Sequence, residues 1–74
     1  MGKARRRLRV LRAEQDVRQS DVARMAGLSR SRYAQIETGE GSVPRDEERA
    51  AVAAALGVRV SEIDWPVVET GAHA

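Results

Sequence analysis

Apolar and polar positions along the chain mark out five helical segments with short connections, the pattern of an all-α, compact five-helix domain. The first segment runs from about Ala4 to Glu14, with Leu8, Leu11 and Ala4 on its inner side and Arg5, Arg6, Arg7 and Arg9 around the rest. The second and third are Gln19 to Ala26 and Arg30 to Thr38, the latter with Ser29 as N-cap and Gly39 as its stop. Gly39-Glu40-Gly41-Ser42 reads as a flexible loop. Pro44 opens a fourth, alanine-rich helix that ends at Gly57, and Asp46, Glu47 and Glu48 set negative charge against the positive end of its dipole. Ser61 caps a short fifth helix, Glu62 to Trp65, which Pro66 terminates. The domain is expected to span 1–65. Residues 66–74 form a short tail, expected to fray or to lie at a dimer seam.

The window from Gln19 to Thr38, QSDVARMAGLSRSRYAQIET, is the most informative stretch. Val22 and Ala23 face inward from the first of two helices, and Ala26 and Gly27 end it. Leu28 plugs the corner, and Tyr33 and Ile36 seat the second helix on the first. Ala23 has to be small because the helices cross close to its Cβ, and Gly27 supplies a left-handed backbone that a Cβ would penalise. Together these agreeing positions predict a helix-turn-helix.

That window resembles the helix-turn-helix of the phage repressor and Cro family, also called the XRE family. The resemblance extends over residues 4 to 65. LRVLRAEQDVRQSDVA is similar to the family's first helix and approach, with Leu8, Leu11, Arg12 and Gln19 at matching places. SRSRYAQIETG matches the recognition helix and its Gly stop, and the run from Pro44 to Val58 matches the fourth helix. The resemblance implies binding of double-stranded operator DNA. It further implies that Gln19 donates to a phosphate and braces the recognition helix, and that Arg12 and Glu37 form a buried salt bridge. Arg45 matches a place where basic residues reach the DNA backbone or minor groove. Three departures stand out: Arg18 replaces the usual Ser or Thr cap, Asp16 replaces a common glycine, and Glu40 stands where Lys or Arg is frequent.

Charge changes the picture more than composition does. The 74 residues carry a net charge of +2. Residues 1–32 hold ten Lys and Arg against Glu14, Asp16 and Asp21, a balance of +7, whereas residues 33–74 come to −5. A charge run is often only a solvated face. Here the excess lies on the helix-turn-helix and the helix before it, which favours a polyphosphate partner. Cys is absent, which excludes disulfides and thiolate metal sites. No apolar run approaches a membrane span, and Gly2 is followed by Arg6 where a myristoylation signal has Ser or Thr, so a cytoplasmic protein is expected.

A recognition helix points its N-terminal half into the major groove. At 100° per residue, Arg30, Ser31, Ala34, Gln35 and Thr38 share the face opposite Tyr33 and Ile36. Arg30, Ser31 and Gln35 are the expected base readers: Arg suits guanine O6 and N7, Gln suits adenine, and Ser serves either role. Arg7, Arg9, Gln19, Arg32, Thr38 and Arg45 are the expected backbone contacts, Arg32 because it lies off the outer face. Ile63, Trp65, Val67 and Val68 form an apolar patch expected at a homodimer seam, although Trp65 alternatively closes the core.

Other chemistry has little support. His73 is the only histidine and lies in the tail, and Gly39-x-Gly41 lacks the Lys and further glycines of a phosphate loop. Neither enzymatic activity nor any metal, cofactor or small-molecule ligand is expected. The reading is a homodimeric transcription regulator on a symmetric operator, closest in kind to phage Cro proteins and restriction-modification controller proteins. The alternative is a helix-turn-helix antitoxin or adaptor that grips another protein. Arg30, Arg32 and Gln35 on helix 3 favour DNA over a protein partner.

Overall fold

The computed structural model describes residues 4–68; of the tail expected to fray, 66–74, residues 69–74 lie outside the described residues, as do Gly2 and His73. Four α-helices follow one another: α1 (Leu8–Gln15), α2 (Gln19–Ala26), α3 (Arg30–Thr38) and α4 (Asp46–Leu56), with a single 3-10 turn at Val60–Glu62. The count of five is therefore corrected to four. The expected fifth helix shortens to this turn because the Glu62 carboxylate accepts the Arg59 N–H at 2.7 Å, starting the turn before Ser61, and Ile63 is extended.

The reason Ile63 is extended also corrects the start of α1. Arg6 pairs with Ile63 in a parallel bridge, its N–H donating to Glu62 O at 3.1 Å and its carbonyl accepting from Asp64 N at 2.9 Å. Residues 4–7 are thus outside the helix, and Ala4 is exposed rather than inward. A first turn there would have set three arginines against the positive end of the helix dipole. At α4 the helix starts at Asp46 with Arg45 as N-cap, because the Glu48 side chain accepts the Arg45 N–H at 2.9 Å; Pro44 is buried just ahead of it.

The core is one cluster. Leu8 and Leu11 come from α1, Val22 and Ala23 from α2, Tyr33 and Ile36 from α3, and Val52, Ala53 and Leu56 from α4, closed at the bottom by Ile63. Leu28, between α2 and α3, is half-buried against it, as the corner position requires. α2 packs on both α3 and α4, so it is the central element and α3 lies to one side with an open outer face. Asp16 takes the left-handed turn after α1 at φ 55°, the geometry that Asp tolerates better than most residues. Gly39 ends α3 at φ 82°, where a Cβ would meet Pro66 and the Val67 carbonyl at 3.0–3.1 Å. The segment after Asp64 therefore lies against the exit of α3, and only glycine lets it come so near.

Candidate nucleic-acid interface

The geometry of α3 is set from behind. Arg12 on α1 meets Glu37 near the end of α3 through two parallel hydrogen bonds, Nε to Oε2 at 2.7 Å and a terminal nitrogen to Oε1 at 3.0 Å. Gln19, the first residue of α2, donates to Glu37 Oε1 at 2.8 Å, and the Tyr33 hydroxyl donates to Oε2 at 2.9 Å. A third Arg12 nitrogen reaches Val17 O at 3.2 Å. One carboxylate, 3% exposed, thereby ties three helices together. Burial pushes the Glu37 carboxyl up, and the hydrogen bonds from Arg12, Gln19 and Tyr33 more than offset this, so it is held below the usual carboxylate range. Burial, with the carboxylate beside it, pushes the Tyr33 hydroxyl well up, so it stays protonated as a donor. Gln19 is bound to α3 through this carboxylate, which is the bracing half of its expected role.

A second buried pair was not anticipated. Arg32 was expected to face a phosphate; instead it is folded back onto the protein and is 18% exposed. Its Nε and one terminal nitrogen grip the Glu48 carboxylate at 3.0 and 2.8 Å, and the other terminal nitrogen donates to Ser42 O at 3.2 Å. With every nitrogen engaged inside the fold, Arg32 locks α3 to α4 and to the loop between them rather than presenting charge outward. Its position off the outer face was legible from the helical period. Its destination was not, because Glu48 read as one of three interchangeable first-turn acids.

Hydrogen bonds from Arg32 and from the Arg45 backbone hold the Glu48 carboxyl down to about 2. A carboxyl whose value is lower in the folded than in the unfolded chain contributes stability that is complete above the unfolded value, near 4.5, and is lost as pH falls from there toward 2. The melting temperature is therefore expected to drop over that window. Glu48→Gln should melt lower than the wild type at pH 6, with the difference closing by about pH 2; a difference that stays constant would contradict the assignment.

On the outer side, Arg30, Ser31 and Gln35 are all exposed on one face of α3. Ser29 caps the helix by accepting the Arg32 N–H at 3.0 Å. A shallow cleft at the starts of α2 and α3 is lined by Arg12, Arg18, Gln19, Ser20 and Arg30. The Arg18 side chain is 84% exposed there, in the place of the usual cap, and Asp21 takes over capping by accepting the Arg18 N–H at 3.0 Å. The cleft thus joins free helix-end N–H groups to cationic side chains, the combination that favours a phosphate. Sequence reasoning noted Arg18 only as a missing cap; its charge beside Arg30 was the available signal.

Arg7 and Arg9 lie at the other end of α3, lining a groove with Val10, Thr38, Pro66 and Glu37, whose carboxylate is occupied by Arg12, Gln19 and Tyr33. Arg9 has no ion pair among the described residues, whereas Arg7 is 3.6 Å from Asp64. The Thr38 hydroxyl donates back to Ala34 O at 3.0 Å. The Arg45 side chain is 72% exposed, with one terminal nitrogen 3.7 Å from Glu48 Oε2. Of the expected dimer patch, Ile63 is corrected outright: it is 1% exposed and belongs to the monomer core. Trp65 packs against that core, donates to Val60 O at 3.1 Å and lies under the Arg49 guanidinium. Val67 is exposed and Val68 half-exposed.

Among the described residues no helix is long and apolar enough to cross a membrane. A family model described as a helix-turn-helix domain matches residues 4–65. No curated protein matches the chain.

Proposed function

The chain belongs to the helix-turn-helix domain family, and from that premise we propose that it is a sequence-specific transcription regulator of the repressor and Cro kind. In this reading it binds a symmetric operator in double-stranded DNA as a homodimer in the cytoplasm, without enzymatic activity. α3 enters the major groove, with Arg30, Ser31 and Gln35 toward base edges. Phosphates of the two strands lie against the α2 and α3 starts on one side and against Arg7, Arg9 and Thr38 on the other.

What supports this most is one observation: α3 exposes its polar face while its back is fastened by two ion pairs and two core residues, with cationic clefts at both ends. A helix held this rigidly, flanked by positive charge, suits a ligand with anionic rails and readable edges between them. A two-fold partner would meet the domain through the exposed Val67 and the half-exposed Val68.

Salt dependence tests the proposal. The affinity for a duplex is expected to fall steeply and linearly on a log–log plot against salt concentration. Arg9→Ala should weaken cognate and scrambled duplexes alike and reduce the slope by about one unit per lost phosphate contact. A flat salt profile would remove the phosphate-binding role.

A further inference from the structure

Gln35 is exposed near the middle of α3, yet its side chain is seated. The Arg32 nitrogen that reaches Ser42 O also donates to Gln35 Oε1 at 3.4 Å. The contact is long, and its direction matters more than its strength. A guanidinium only donates, so the amide atom turned toward it is the oxygen, and the amide nitrogen is turned away. On the loop side Gly41, at φ +75°, closes the space: a Cβ there would lie 2.7 Å from Gln35 Oε1, 2.9 Å from its Cδ and 3.3 Å from its Nε2, so the amide lies along the loop with its oxygen the nearer atom and its nitrogen the farther. The amide is held between a clamped guanidinium and a bare stretch of backbone.

We infer that Arg32 and Gly41 determine which base Gln35 reads, by keeping its amide oxygen turned inward so that only the NH2 group faces the groove. The inference rests on the proposed role of α3 as the reading helix. Adenine is read by Gln when the oxygen accepts from N6 while the nitrogen donates to N7. With the oxygen turned to Arg32, the side chain offers donors alone, and the complementary edges are those that present acceptors without a donor, guanine N7 and O6 or thymine O4. The residue type by itself points to adenine; its seat reverses that choice. Arg32 is thus a positioning residue, and the grip of Glu48 gives it a fixed base from which to act.

The test measures binding to a duplex selected by the wild type and to all its single-base variants. The proteins compared are the wild type, Gln35→Ala, the double variant Arg32→Met with Glu48→Met, and Gly41→Ala, with circular dichroism as the folding check. The double variant removes both charges so that neither is left buried alone. Gly41→Ala is an independent route, since it keeps the ion pair and displaces the amide. At the base pair where Gln35→Ala loses its preference, the wild type should favour guanine or thymine over adenine by roughly five- to hundredfold. Both the double variant and Gly41→Ala should lose most of that ratio, at that base pair and no other. Adenine preferred by the wild type there, or an unchanged ratio in a folded variant, overturns the inference while leaving Gln35 a reader. A base preference that Gln35→Ala does not move anywhere would instead overturn the reading role of Gln35, and the inference with it.

Discussion

Glu37→Ala should be the most damaging single substitution in the domain, lowering stability by about 3–5 kcal/mol. The carboxylate accepts hydrogen bonds from Arg12, Gln19 and Tyr33; Tyr33 is fully buried, and Arg12 and Gln19 are half-buried beside the cleft. Removing it leaves the Arg12 guanidinium, 17% exposed, without its counter-charge, which costs far more than the pair's net contribution. A domain of this size has a total stability of roughly 4–11 kcal/mol, so much of the population would unfold near physiological temperature. For chains this short, each kcal/mol shifts the melting temperature by about 4–8 °C, and a drop of more than about 12 °C is expected. Arg12→Leu combined with Glu37→Leu should recover part of the loss by leaving no buried charge. Thermal melts followed by circular dichroism decide the matter: a shift of only a few degrees for Glu37→Ala would show that the three helices are held by packing alone.

Arg30→Ala should abolish most sequence-specific binding while leaving the fold intact. Arg30 is the first residue of α3, exposed, and has no ion pair among the described residues, so its truncation removes nothing the fold depends on. A bidentate arginine–guanine contact discriminates by about 1–3 kcal/mol, and a two-fold complex uses it twice. The expected loss is therefore about 2–6 kcal/mol on the cognate site and much less on scrambled DNA. Competition binding with both duplexes separates the two. Equal losses would make Arg30 a phosphate contact, in keeping with its place beside Arg18 in the cleft.

How much of this was legible in the sequence follows from how local each feature is. The bounds of α2 and α3, the Ser29 cap and the left-handed stops at Gly27 and Gly39 depend on neighbours within a turn, and the residue types reveal them directly. The Arg12–Glu37 pair spans 25 positions and was accessible only through the family resemblance. Features that depend on distant pairing were hidden. Residues 4–7 carry a helical pattern but bond to the segment around Ile63, and no local rule links those two stretches. The same pairing draws Ile63 into the core, which an apolar residue near a chain end does not announce. Arg32 and Glu48 likewise looked like ordinary surface charges. Their meeting depends on how the Gly39–Arg45 loop turns, and glycines leave that turn unspecified.

The central claim is that two copies of α3 read DNA in successive major grooves, and selection from a library of random duplexes tests it most directly. The protein should enrich an inverted repeat whose half-sites are centred about 10 to 10.5 base pairs apart. Repeating the selection with Arg30→Ala should degrade the same position in both halves. Enrichment of no repeat, or of a motif that Arg30→Ala leaves unchanged, would contradict the account.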